Sequence, residues 1–220
     1  MVQQEGVIKF ELEFRPALPL PAAALREINA WRKVLYLLRF TGQDPGRYDG
    51  LGYGNISQRL APFEVPPEQR RFVISGTQTG GLAELGTEHY TTVLESSPEE
   101  NRLVAAGPIR PSSESLTHAA LYGLDSSLRC VMHAHSPEIW RHAAALGLPC
   151  TDPAAAYGTP EMAAETRRLF HDEKVRAGGV LVMGGHEDGV VAFGPSAEAA
   201  GTVLLHVLAR AFQLGGPAVK

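Results

Sequence analysis

The chain has 220 residues, is 44% hydrophobic and 20% charged, and carries a formal net charge of -4. That composition belongs to a packed globular fold and excludes a disordered chain; the slight acidity leaves no basic field for nucleic acid or an anionic membrane, so a small molecule is the expected partner. Cys130 and Cys150 have no paired spacing, which argues against a disulfide framework and points to a reducing compartment, with both thiols in or near the core.

The first residues, MVQQEGVIKFELEF, lack a basic start followed by an apolar block, and no uncharged apolar run reaches the ~18 residues of a membrane span. A cytoplasmic protein is expected. Residues 8–14, IKFELEF, alternate apolar and polar, which predicts an edge strand ahead of the main domain. From 22 to 40, Leu25, Ile28, Trp31, Leu35 and Leu38 recur at helical spacing and predict a long amphipathic helix.

Short apolar segments follow at 55–60, 70–75, 90–95 and 102–107, separated by Gly, Pro and acidic stretches. They read as strands of a mixed or antiparallel sheet. From Ser112 the period becomes helical, LRCVMHAH is a buried strand, and PEIWRHAAALG is a helix with Pro in its first turn. TPEMAAETRRLFHDE repeats that signature with Thr159 as N-cap. The last third reads as strand GGVLVMGG, turn HEDG, strand VVAFG and a terminal helix. No repeat or long linker divides residues 1–220, so one α/β domain is expected, its sheet covered by helices on both faces, with residues 1–20 as an extension.

His133 and His135 stand two apart in a strand and so share one face, the arrangement for two imidazoles on one metal. His186, at the turn between the last two strands, is the best third ligand; three histidines with an open fourth position make a catalytic site. An exposed turn histidine is the plainer reading of His186. The other five, His89, His118, His142, His171 and His206, read as surface or packing residues. Ser112, Ser113 and Glu114 begin a helix after Pro111, where unpaired N–H groups favour an anion such as phosphate, although a plain helix cap fits the same letters. The loops GYGNIS (52–57) and SGTQTGG (75–81) could likewise cradle oxygens with backbone N–H groups, or be ordinary turns.

Taken in order, GNIS at 54–57, ISGTQTG at 74–80, PSSE at 111–114, HAHS at 133–136 and the terminal strand-His-Gly-strand element resemble the class II aldolase/adducin family, over residues 25 to 212. Its best-known members are zinc-dependent fuculose-phosphate and rhamnulose-phosphate aldolases. The resemblance implies that His133, His135 and His186 bind a divalent metal, most simply Zn2+, with Mn2+ or Co2+ as alternatives. It implies that Glu114 transfers the proton, and that Asn55, Ser112, Ser113 and the loop Thr77, Gln78, Thr79, Gly80 hold a substrate phosphate. Either Thr77-Gln78 or Thr79-Gly80 could take the family's Thr-Gly place. The implied activity is a lyase reaction on a small phosphorylated hydroxy-carbonyl compound through a metal-stabilised enediolate, in a homotetramer with active sites between subunits.

The sequence departs from the aldolases in three places. Glu187 and Asp188 follow His186 before Gly189, adding acid beside the expected metal, where it would repel an anionic substrate. No tyrosine follows Tyr157, whereas the aldolases use one from a neighbouring subunit's tail, and the stretch 55–114 looks longer than theirs. Epimerase, dehydratase and decarboxylase chemistries share the implied intermediate, and a non-catalytic adducin-like domain is a further alternative. A cupin would also use His-x-His and Glu, but Glu138 falls one position too near His135 and the long helices do not suit a small barrel.

Overall fold

In the computed structural model, which describes residues 6–215, the chain opens with strand β1 (Glu11–Pro16) and helix α1 (Ala22–Leu37). Two short strands, β2 (Gly42–Gln43) and β3 (Gly52–Tyr53), pair with each other, and β4 (Asn55–Arg59), β5 (Phe72–Ser75), β6 (Tyr90–Ser97) and β7 (Arg102–Gly107) follow. Helix α2 (Ser115–Leu124) leads to β8 (Cys130–His135) and helices α3 (Pro137–Arg141), α4 (Ala143–Leu146), α5 (Pro160–Phe170) and α6 (Glu173–Gly178). The chain then forms β9 (Val180–Val182), β10 (Gly189–Gly194) and α7 (Ala197–Gly215). Eight strands make one sheet in the order β1-β7-β6-β5-β4-β8-β10-β9, parallel only between β1 and β7.

Period-2 patterning divides the core between the two faces of this sheet. On one face Ile56, Val73, Met132, Ala134, Val190 and Ala192 pack with Leu25, Ile28 and Leu35 of α1 and Leu204 and Val207 of α7. On the other, Ile74, Val131, Val191 and Phe193 pack with Leu116 and Leu121 of α2 and Met162 and Phe170 of α5. His133 and His135 share the parity of Val131 and so face α2. The two long helices α1 and α7 cross closely, since a Cβ on Gly201 would stand 2.1 Å from the Trp31 ring.

Several expectations shift. The first strand begins at Glu11 rather than Ile8, and its pairing with β7 runs from Glu11 opposite Arg102 to Pro16 opposite Gly107. The long helix stops at Leu37, where Arg39 adopts φ 59°. The segment after β8 breaks into α3 and α4 at His142, and the residues after Phe170 form a separate helix capped by the Asp172 carboxylate, which accepts from Lys174 N. Cys130 is buried, but Cys150, bridged to Val182 outside the main strands, is exposed. The residues 1–5 of the expected extension lie outside the described region. Among the described residues, no helix is long and apolar enough to cross a membrane.

His118 is a packing residue on the buried side of α2, where Ser57 Oγ lies 2.7 Å from its Nδ1 and 2.8 Å from Tyr122 Oη. Burial pushes its pKa down to about 3 from 6.5. With the folded pKa lowered, the unfolded chain takes up the proton first as the pH falls. The stability this residue contributes is complete above pH 6.5 and is lost progressively toward pH 3. Urea unfolding is expected to show a pH dependence between those limits that is shallower in His118→Gln by about 1.4 kcal/mol per pH unit. Equal slopes would mean that His118 opens to water before the chain unfolds.

Candidate metal centre and anion cleft

Strand register brings the centre together. β8 lies between β4 and β10, with His133 opposite Asn55 on one side and Val191 on the other, while His135 faces Gly189 at the strand end. The turn from Met183 to Gly189 is tied by His186 N to Met183 O at 3.2 Å and Gly189 N to His186 O at 2.9 Å, which returns the His186 ring over β8. The turn sits tightly on the 153–155 segment, because a Cβ on Gly185 would lie 2.0 Å from Ala155 O.

The ligand atoms of His133, His135 and His186 all lie within 4.8 Å of one another. Their ring centroids are 4.8 to 5.0 Å apart, and Nε2 of His133 is 3.1 Å from Nε2 of His135. All three side chains are buried. Burial, reinforced by His186, holds His133 and His135 well below the usual imidazole range. Neutral imidazoles with lone pairs on one point are what a divalent metal requires, and three nitrogens leave a fourth position for a reacting oxygen. The residues present therefore fit such an ion.

Glu114, 1% exposed, approaches the same point: Oε1 is 3.7 Å from His186 Nδ1, and Oε2 accepts a hydrogen bond from Thr117 Oγ1 at 3.0 Å. The Ser-Ser-Glu segment does not itself begin the helix. α2 starts at Ser115, and Ser112 and Ser113 lie in the preceding turn, pinned by the Gly76–Pro111 bridge. The Ser112 hydroxyl accepts from Asn55 Nδ2 at 2.9 Å and from Glu114 N at 3.3 Å, so it ties the loop to β4 instead of capping.

Asn55, Ser112 and Ser113 share a polar cleft with Thr77, Gln78, Thr79 and Gly80, so the residues expected to hold a phosphate line one cleft. The Thr79 hydroxyl donates to Gly76 O at 2.7 Å, and Gln78, at φ 59°, accepts from Gly52 N through Oε1 at 2.9 Å. As it stands the cleft holds about 10 Å³, room for a water and not for a phosphate, because Gln78 and Gly6 close over it. A wider groove of about 670 Å³ beside Arg71 and Leu103 carries none of these groups.

Sequence reasoning missed the aromatic and ionic wall around the histidines. Tyr157, fully buried, packs its ring, tilted by 30°, 4.7 Å from that of His186. Tyr48 and Tyr53 flank His135 at 4.5 and 5.1 Å. The acidic pair expected to repel an anion behaves otherwise: Glu187 faces solvent, while Asp188 Oδ2 accepts from Arg47 Nη2 at 2.7 Å and from Tyr48 Oη at 2.6 Å, which offsets its charge. Arg47 also donates to the Tyr48 oxygen. Burial, and then the Asp188 bond, raises the Tyr48 phenol well above its ordinary range, so it remains a donor. The only available signal for this wall was the run RYDG beside GYGN.

Residues 46–214 match the family described as Class II Aldolase and Adducin N-terminal domain. Among solved structures, L-fuculose-1-phosphate aldolase from Thermus thermophilus is 19% identical with a TM-score of 0.60, over 90% of this chain and 100% of that one. A sugar-phosphate aldolase from Thermotoga maritima is 17% identical at TM-score 0.60, over 90% and 99%. YgbL from Escherichia coli is 18% identical at 0.62, over 90% and 92%. No curated protein matches the chain.

Proposed function

Since the chain belongs to the class II aldolase and adducin N-terminal domain family, we propose that it is a divalent-metal-dependent lyase that breaks or forms a carbon–carbon bond in a small phosphorylated hydroxy-carbonyl compound. The observation that supports this most is the convergence of three buried imidazoles, with the Glu114 carboxylate 3.7 Å from the His186 ring. A purely structural domain has no use for four buried polar groups at one point, each costly to desolvate.

In this reading His133, His135 and His186 hold the metal, which when bound polarises the substrate carbonyl as a Lewis acid. Glu114 takes the proton released from the substrate and returns it, with Thr117 fixing the carboxylate's orientation through Oε2. Burial keeps water from competing for that proton. Asn55, Ser112, Ser113 and the 77–80 loop take the phosphate end once Gln78 swings aside. The phosphorylated substrate is argued from this cleft and from the neighbouring fuculose-1-phosphate and sugar-phosphate aldolases. Assembly as a homotetramer in the cytoplasm, with active sites between subunits, completes the proposal; the exposed Leu205, Phe212 and Leu214 of α7 offer apolar surface for it.

Elemental analysis of protein purified without chelator or affinity metal tests the core of this reading, alongside a turnover screen of phosphorylated ketoses and hydroxy-keto acids. About one divalent ion per chain and a chelator-sensitive turnover are expected. No metal after reconstitution with zinc, manganese or cobalt would sink it.

A further inference from the structure

Arg32 sits in α1, on the sheet face opposite the histidines' helix α2, and is 1% exposed. Among the described residues it has no ion-pair partner, and the nearby Glu84 is paired to Lys33. An arginine stays charged in a protein, and a buried charge without a counter-ion is costly. The group meets carbonyls instead: Nη2 donates to Thr79 O at 2.9 Å, Gly80 O at 2.8 Å and Leu82 O at 2.8 Å.

In a planar trans peptide the carbonyl and the following N–H point in opposite directions. Drawing Thr79 O and Gly80 O toward Arg32 therefore turns the N–H groups of Gly80 and Gly81 away from it. Neither amide has an acceptor among the described residues. Gly80 lines the polar cleft, and its N lies 3.3 Å from where a Cβ on Gly52 would stand, so a side chain at 52 would crowd it. Gly80 itself admits no side chain, since its Cβ would meet Tyr53 O at 2.4 Å. Successive outward N–H groups make an anion nest. Among the described residues no lysine or arginine lines the cleft, and Arg32 places a full positive charge behind the loop.

We propose that Arg32 is the positioning residue of the anion cleft: by holding the Thr79, Gly80 and Leu82 carbonyls it presents the Gly80 and Gly81 amides, backed by its own charge, to the oxyanion of a phosphate monoester. This rests on the anion-cleft reading given above. The probe is inorganic phosphate, titrated into the metal-loaded protein and followed by calorimetry and by the amide resonances of Gly80 and Gly81. In the native protein both amides are expected to shift on phosphate addition. Arg32→Met is expected to weaken phosphate binding at least tenfold with metal affinity unchanged, and Arg32→Lys to recover part of it. A merely structural role would move metal and phosphate affinity together, and that result, or unchanged phosphate binding in Arg32→Met, overturns the proposal. If Arg32→Met fails to fold, the native protein decides alone: phosphate binding without movement of the Gly80 and Gly81 amides overturns the role of Arg32 and leaves the cleft standing, whereas no phosphate binding at all overturns the cleft reading and this inference with it.

Discussion

Glu114→Gln is expected to lower kcat by about 10²- to 10⁴-fold, the usual worth of a positioned proton-transfer group, while metal content stays near one ion per chain. The amide is close to isosteric, and its oxygen can still accept from Thr117 Oγ1 as Glu114 Oε2 does. What it loses is the capacity to take up a proton at the atom 3.7 Å from His186. Substrate binding should change far less than turnover, since the cleft and the histidines are untouched. Steady-state kinetics with the best substrate of the screen decides the matter, and a kcat within threefold of native would assign the proton transfer to another residue.

The second large effect concerns His133. Its backbone is fixed by pairing with Asn55 and Val191 on both sides, so His133→Ala should keep the strand while removing the central imidazole. A ligand present at 100 times its Kd stabilises the native state by about 2.7 kcal/mol. For a chain of this size that corresponds to a rise in Tm of about 5 to 10 °C. The native protein is therefore expected to melt that much higher with zinc than with chelator. In His133→Ala the zinc-dependent rise should vanish, as measured by calorimetry on both forms. A variant that still gains the full rise would show that the metal binds elsewhere.

The parts of the site that were legible in the sequence are those set by short-range periodicity. His133 and His135 had to share a face because a strand alternates, and Ser112 to Glu114 had to lie near the strand because α2 feeds β8 directly. Residues placed by long-range contact were named only where a motif or the family resemblance pointed to them, as for His186 and Asn55. Arg32 reads as one polar position on an amphipathic helix, and only the folded chain carries Thr79 to it. Asp188 read as a repulsive charge because its partner Arg47 lies far away along the chain. The break at His142 carries no Gly or Pro to mark it, and the Asp172 cap that starts α6 lies inside a run of letters that reads as one helix.

The pairing of Asn55 with His133 and of Gly189 with His135 also bears on how the protein matures. Three chain segments far apart in sequence meet there, and such non-local pairings form slowly. A slip of one residue in β8 would turn both imidazoles to the opposite face of the sheet. A cation arriving early would thus meet the His133 and His135 pair without His186, and only a chain in the correct register offers it all three. If the chain takes up metal as proposed, uptake would act as a proofreading step, since the ion would stabilise only the chains whose central strands have already aligned correctly.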